Sequence, residues 1–501
     1  MPRAHSAMTL GFVRLDARRK LPLFRQLYDS IREAILDGRL VANTRLPSSR
    51  DLVTQFGVSR TTVVTAIEQL IAEGYLQASV GSGTFVSSEI PNDHPFRQST
   101  RTESLAPQPV PPLTTILSPY GLRAANAGRM GLDDRADLKA FLPGVPALDE
   151  FPVEVWSKLV RRTWKELKPR DLSYGDAVGY LPLRKSLANY IGANRGVRCT
   201  PNQILIVHGT QQAIDLVARM CVRPGDKVLF ENPGYVSARS CFLSHGAVIS
   251  PMRVDREGLH LAEALESSPT ARLAYVTPSH QYPVGITLPV ERRLELLNWA
   301  RQNNGLIIED DYDSEYRYAE KPIPAMQGLQ SGDHSFYIGS LSKVGFPALG
   351  LGYLVVPESL ANPFERALAA MTRPPSLVDQ YVLHEFIREG HFARHLRRMR
   401  KTHQARREAF VSEMQKQLPD VFTIIGSDAG LHCAALLEAG RNAEEVVEIL
   451  SGAGIITRSL SAYYLPGTPK FQQLSGLIFG FACCTPGQIR SAVRKMAKLL
   501  R

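Results

Sequence analysis

The sequence predicts two dissimilar folds in one chain: an N-terminal winged helix-turn-helix, mainly α with a β wing, then an α/β domain with a smaller C-terminal α+β subdomain. Three observations carry this. Residues 12–88 hold three short helical patterns followed by an alternating, glycine-centred stretch. Residues 89–113 are rich in Pro, Ser and Thr and poor in large apolar side chains, so they bury no core and read as a flexible linker. From residue 114 to 501, β-rich runs alternate with helical segments, which implies a mostly parallel sheet covered by helices on both faces.

The elements follow in order. "PLFRQLYDSIREAILDG" spaces Leu23, Leu27, Ile31 and Ile35 four apart, one apolar stripe, with Gly38 as a stop. "LPSSRDLVTQFG" offers Ser48 as N-cap of a second, short helix ending at Gly57. "VSRTTVVTAIEQLIAEG" repeats that grammar, with Ser59 as cap, apolar Val63, Ile67, Leu70 and Ile71, and Gly74 as terminator. "YLQASVGSGTFVSS" alternates around Gly81 and Gly83 and predicts a hairpin. Beyond the linker, "QILIVHG", "DKVLFENPG", "RLAYVTPS", "GLIIEDDYD" and "SFYIGSLSK" are strand candidates, separated by helices such as "TQQAIDLVARMC" and "PVERRLELLNWARQNN". From about residue 395 a helix leads into a smaller mixed segment.

Composition narrows the function classes. The chain has 501 residues, 44% hydrophobic and 21% charged, enough for two or three packed units. No apolar run approaches the ~18 residues of a membrane span, and the first ten residues lack a signal-peptide core, so a cytoplasmic protein with no membrane partner is expected. Six cysteines, of which Cys483 and Cys484 are adjacent, give neither a disulfide framework nor metal-ligand spacing, and no metal is expected. The net charge is +11, and residues 1–88 carry eleven basic against seven acidic side chains. That suits nucleic-acid binding, as it would suit mere solubility.

In a helix-turn-helix the second helix of the pair enters the major groove N-terminus first. Here that start is Ser59, Arg60, Thr61 and Thr62: a guanidinium fork for guanine or phosphate, and three hydroxyls for phosphate oxygens. Arg50 lies on the preceding helix, near the DNA backbone, and Gly83 at the wing tip lets backbone amides approach a phosphate. Taken singly, each of these residues is as well explained as a cap or a solvated position.

The larger domain carries a second constellation. A pyridoxal 5'-phosphate site needs an amine for a Schiff base, an acid for the pyridine nitrogen, an aromatic face and a phosphate cradle. Lys343 in "SLSK" is the amine, flanked by Ser340 and Ser342 for phosphate oxygens. Asp310 in "IIEDDYD" is the acid, with Tyr312 placed to bond the ring hydroxyl, and Tyr235 in "ENPGY" is the stacking ring. Gly209, Thr210 and Gln211 begin a helix whose N–H groups and dipole attract a phosphate dianion. All lie at predicted strand ends, where open α/β sheets gather their ligands.

The stretch from "LPLFRQLYDSIREAILDGRL" through "LPSSRDL", "VSRTTV", "LIAEGYL" and "GSGTFV" resembles the GntR-type winged-helix domain of bacterial transcription regulators over residues 12–88. That resemblance puts Arg50, Arg60, Thr62 and Gly83 at positions that touch DNA. Residues 114–501 resemble fold type I aminotransferases, and the two halves together resemble the MocR subgroup, in which an aminotransferase-like domain is the effector sensor and dimerisation domain. The resemblance implies an operator in double-stranded DNA and a small amine or amino-acid effector. It also implies a domain-swapped homodimer, because "YGDAVGYLPLRKSLANYI" matches the segment that crosses to a partner, with Tyr174 reaching the neighbour's phosphate.

One position departs from the family pattern, and two more differ from working transaminases, although MocR proteins commonly carry the tyrosine. The arginine usual seven residues after the lysine, a partner of the cofactor phosphate, is Gly350; such a bond is worth about 1.5–3 kcal/mol, so affinity falls ~10- to 100-fold unless something compensates. Tyr282 replaces an Asn before Pro, and Ile478 stands where transaminases place the arginine that grips a substrate carboxylate, with Arg458 as a candidate substitute. The expectation is a cofactor-dependent regulator that senses an amino compound, or pyridoxal phosphate itself, rather than an enzyme. The alternative is an active aminotransferase with an attached DNA-binding domain, and the two part on whether a 2-oxo acid product forms.

Overall fold

The computed structural model describes residues 10–79, 82–88, 116–127, 140–318 and 323–501. The expected linker, 89–113, and the expected turn glycine Gly81 lie outside the described residues. The chain divides into two compact units, residues 1–111 and 112–501.

The first unit contains helices α1 (Leu23–Leu36), α2 (Ser49–Phe56) and α3 (Arg60–Ala72), then strands β1 (Leu76–Ser79) and β2 (Gly83–Val86). The α1 stripe buries Leu27, Ile31 and Ile35 against Leu52 of α2 and Val63, Ala66 and Leu70 of α3. Ser48 closes a capping box with Asp51, each satisfying the other's backbone N–H. Gly57 ends α2 in the left-handed region, at φ +63°, which turns the chain sharply into α3. Ser59 caps α3 by accepting the Thr62 N–H at 3.1 Å. The two strands pair antiparallel, Leu76 opposite Val86 and Ser79 opposite Gly83.

The second unit is built on an eight-stranded sheet. Its strands are β3 (Ile204–Val207), β4 (Lys227–Asn232), β5 (Val248–Asp255), β6 (Gly258–Leu259), β7 (Leu273–Val276), β8 (Leu306–Asp311), β9 (Ser335–Ser340) and β10 (Gly352–Val355), in the order β3-β10-β9-β8-β7-β4-β5-β6. From β9 to β5 all neighbours are parallel, whereas β10 runs antiparallel between β9 and β3. The apolar alternation does not single out β5, which is broken by Pro251, or β10, which follows a glycine-rich loop.

Successive residues point to opposite faces of a strand, and the core divides accordingly. Phe230, Tyr275, Ile308 and Phe336 pack under α4 (Gly209–Cys221) and α5 (Val236–Ser244). Their strand neighbours Leu229, Ala274, Val276 and Ile307 pack under the helix Val290–Asn303, on Leu296, Leu297 and Trp299. A sheet covered on both faces explains why these strands read as continuous apolar runs. The buried Arg195–Asp311 ion pair, at 2.8 Å, with Tyr337 donating to the same carboxylate at 2.6 Å, fixes the end of β8.

The C-terminal subdomain follows the long helix His391–Gln417. It is a four-stranded antiparallel sheet, β11 (Phe422–Ile425), β12 (His432–Leu437), β13 (Arg458–Ser459) and β14 (Gly476–Gly480), in the order β11-β12-β14-β13, with the helices Ala443–Gly452 and Pro486–Leu500. Among the described residues no helix is long and apolar enough to cross a membrane.

Candidate functional site

The carboxyl ends of the parallel strands open onto a cavity of about 370 Å³, and nine of the expected cofactor residues line it: Gly209, Thr210, Gln211, Tyr235, Asp310, Tyr312, Ser340, Ser342 and Lys343. They arrive from four strand ends. α4 follows β3, Tyr235 follows β4, Asp310 closes β8 with Tyr312 just beyond, and the two serines and the lysine leave β9.

The electrostatics of this cavity are unusual for two groups. Lys343 donates to the Gly144 carbonyl at 2.6 Å, and burial lowers its pKa against the opposing pull of Asp313 and Asp310. A lysine held toward its neutral form is a nucleophile. Asp310 is 4% exposed; its Oδ2 accepts from the Tyr275 hydroxyl at 2.5 Å while Oδ1 has no partner. Burial, then the charges of Asp311 and Asp313, raise its carboxyl to about 7, although the Tyr275 bond and Lys343 pull the other way.

The remaining walls are set by local geometry. α4 starts with no side-chain cap, so its first N–H groups face the cavity unclaimed by a capping side chain, the condition for holding an anion. Tyr312 is half-buried; its hydroxyl donates to the His280 carbonyl at 2.9 Å and meets His280 Nδ1 at 3.0 Å. Tyr235 packs edge-on against Tyr282, ring centroids 5.6 Å apart.

Several contributors were not found in the sequence. Tyr275 is an inward residue of β7, and alternation identifies it only as core. Asp313 pairs with His280 at 3.1 Å, and both are buried. His432 of β12 lines the cavity at 1% exposure with neither ring nitrogen in hydrogen-bonding geometry. Burial and neighbouring His280 hold that imidazole neutral. No spacing rule joins a small-sheet residue to a strand end some 120 positions earlier.

The departures also have a structural form. Gly350 lies at φ +62°, and a Cβ there would find only the Ala348 carbonyl, at 4.0 Å. The backbone, not crowding, disfavours a side chain. Ile478 is fully buried with Val236, Ala434, Leu460 and Tyr463. Arg458 sits directly opposite Ile478 in the β13–β14 register, and it lines the cavity. Tyr282 is hydrogen-bonded to Tyr463, hydroxyl to hydroxyl at 3.2 Å, on the same wall. Tyr174 is not among the lining residues; it is 75% exposed, with the Arg373 guanidinium 4.9 Å from its ring centroid.

On the first unit, Arg50, Ser59, Arg60 and Thr61 are exposed and Thr62 is half-buried. The Ser59 and Thr62 hydroxyls lie 2.9 Å apart, so the cap partly occupies the hydroxyls expected to face phosphate. Gly83 is exposed at φ +114°, and a Cβ there would come within 3.0 Å of Arg45 Nε. Arg45, exposed and bridged to Phe85 of β2, is a further cation beside the wing that the sequence patterns did not mark.

The donor set of the cavity fits pyridoxal phosphate: an amine for its aldehyde, an unpartnered buried carboxylate oxygen for its ring nitrogen, and an uncapped helix start for its phosphate.

Comparison with known proteins agrees. The gntR family of bacterial regulatory proteins matches residues 23–86, and the aminotransferase class I and II family matches residues 144–496. The chain is 38% identical over 484 residues to the "Probable rhizopine catabolism regulatory protein MocR" of Rhizobium meliloti, covering 96% of this chain and 94% of that protein. It is 32% identical to the pyridoxine biosynthesis transcriptional regulator PdxR of Corynebacterium glutamicum, over 91% of each. The α-aminoadipate aminotransferase LysN of Thermus thermophilus superposes with a TM-score of 0.68 at 25% identity, over 76% of this chain and 96% of that one. Pyridoxal phosphate is the cofactor these findings support. With a GntR head and an aminotransferase-type domain in one polypeptide, the chain belongs to the MocR-type transcription regulators.

Proposed function

We propose that the pyridoxal pocket of this DNA-binding regulator is a sensor of a small amine or amino acid, not a site of turnover. The observation that carries the reading is the apolar seat of Ile478. Transamination requires the substrate to be held so that the Cα–H bond stands across the cofactor ring, and the position that grips a carboxylate in transaminases is here sealed in hydrocarbon. Arg458, opposite it, supplies a cation on the cavity wall, suited to binding an anionic effector group. Lys343 is then the residue that bonds the cofactor aldehyde. Asp310 accepts from its ring nitrogen, Tyr312 bonds its ring hydroxyl, Tyr235 covers its face, and Gly209, Thr210, Gln211, Ser340 and Ser342 seat its phosphate. The cofactor supplies an electrophilic carbon for amines; the protein residues position it and exclude water.

In this reading residues 12–88 are the reading head, 89–113 the linker, and 114–501 the effector-binding and dimerisation domain, with its small subdomain from about 395. Arg50, Ser59, Arg60, Thr61, Thr62 and Gly83 face double-stranded operator DNA, with Arg45 beside them. A DNA-reading role supports a cytoplasmic location. The exposure of Tyr174 is what a domain-swapped homodimer would need if that ring reaches the neighbour's phosphate. An effector shifts the DNA-binding arrangement only by its differential affinity for the two states.

The test is the visible spectrum of the purified protein. Wild type is expected to absorb in the region of a lysine-bound cofactor and Lys343→Ala not to. Amines should shift the band without releasing a 2-oxo acid. Steady formation of a 2-oxo acid product would overturn the sensor reading in favour of an aminotransferase.

A further inference from the structure

Away from the cofactor, Cys483 and Cys484 line a separate cavity of about 260 Å³, together with Asp149, Thr485 and Gln488. Their sulfurs are 3.6 Å apart. Beside them Arg406 is 3% exposed; it donates to the Ala482 carbonyl at 2.7 Å and to Asp149 at 2.6 Å, while its Nε has no partner. A buried cation next to two adjacent thiols favours a thiolate.

The thiols also touch the segment that holds the cofactor lysine. The Cys483 thiol points at the Leu142 carbonyl, at 3.8 Å, and at the Gly480 carbonyl, at 3.6 Å. The Gly480 N–H donates to the Phe141 carbonyl at 2.9 Å, and a Cβ on Gly480 would collide with the Leu142 carbonyl at 2.2 Å. Two residues on, the Gly144 carbonyl accepts the Lys343 amine. Residues 141–144 therefore run from the dithiol to the cofactor amine with no slack between them.

We propose that Cys483 and Cys484 are a peroxide-sensitive dithiol that closes to a vicinal disulfide and, through residues 141–144, loosens the seat of Lys343. The Cys484 thiolate attacks hydrogen peroxide; its S–O bond forms, the O–O bond breaks, and hydroxide leaves. The sulfur is oxidised to a sulfenic acid as the peroxide is reduced. The Cys483 sulfur then attacks that sulfur, the S–S bond forms, and the S–O bond breaks as hydroxyl takes up the Cys483 proton and departs as water. Two thiols and one peroxide give one disulfide and two waters.

The other four cysteines are poor competitors. Burial pushes the thiols of Cys199 and Cys221 up to about 11, and those of Cys241 and Cys433 to about 12. Cys484 is moved the other way, down from its ordinary value, first by the hydrogen bond from Cys483 and also by Arg406. A disulfide between adjacent residues closes a small, strained ring, so thiol reductants should open it readily, as a reversible signal requires.

The full-length, cofactor-loaded protein is treated with hydrogen peroxide and its thiols counted after unfolding. The expected count falls from six to four, with a loss of about 2 Da on the peptide bearing both residues, and dithiothreitol restores both. Cys483→Ser should instead leave Cys484 as a sulfenic acid that dimedone traps. Cofactor retention, followed by equilibrium dialysis, should drop severalfold on oxidation of wild type and stay unchanged in the Cys483→Ser/Cys484→Ser double variant. Oxidation confined to other cysteines, or further oxidation of Cys484 with no disulfide, overturns the dithiol. A disulfide that leaves retention unaltered overturns its link to Lys343.

Discussion

Replacing Asp310 by Asn should push cofactor affinity and apoprotein stability in opposite directions. The wild-type carboxyl is raised from 3.8 to about 7. Its native value lies above the unfolded one, so the native state binds more protons, and stability falls as pH rises through this window. Each unit corresponds to about 1.4 kcal/mol, so the charged carboxylate costs the cofactor-free fold on the order of 4 kcal/mol by about pH 8 and almost nothing near pH 4. Asparagine carries no charge, and its amide oxygen can still accept from Tyr275. The variant should gain a few kcal/mol at the higher pH and match wild type at the lower. With cofactor the sign reverses, because a charge-assisted bond worth about 1.5–3 kcal/mol is lost, and affinity should weaken ~10- to 100-fold. All three tryptophans, Trp156, Trp164 and Trp299, lie in the second unit, so tryptophan fluorescence in urea reports that unit alone. Unchanged apoprotein stability at both pH values, with undiminished retention of cofactor by dialysis, would refute the assignment of Asp310.

Three further outcomes follow from the same geometry. Arg60→Ala should abolish sequence-specific operator binding in footprinting, a loss of about 1–3 kcal/mol at each base it reads, and leave the circular dichroism unchanged. Gly350→Arg, which restores the usual residue at a left-handed position, should lower the unfolding free energy by about 1–2 kcal/mol, measurable by urea titration. Ser48→Ala removes one half of the capping box and should lower the stability of the first unit by about 0.5–2 kcal/mol, read from its thermal transition by circular dichroism.

Much of this was legible before any coordinates. Ser48, Ser59 and Gly57 sit where their side chains, or the lack of one, finish helices, and local chemistry decides such positions. Lys343, Asp310 and Tyr235 were marked by strand ends, since a parallel sheet gathers its functional residues there. The rest was hidden for identifiable reasons. Tyr275 and Asp313 act through partners distant in sequence, and a period-two pattern reports only which face they share. His432 and Arg458 come from a second sheet whose packing no local pattern encodes. The apolar spacing of α3 marks Ile71, which packs half-buried against the core, but not Ala66, which is fully buried there, because alanine carries too weak an apolar signal to mark a helix face.

Strand β10 has an implication for how such a protein diversifies. Gly352 lies directly across from Ser340 on one side and from Val207 on the other, so the loop bearing Lys343 and the start of α4 are welded to a single rib. Added bulk at Gly352 would meet the backbone of Gly209 at 3.0 Å, leaving little tolerance between amine and anion seats. His432 and Arg458 hang from a different sheet. In the proposed sensor, changes at those two positions would alter what the cavity recognises without disturbing the seat of the prosthetic group.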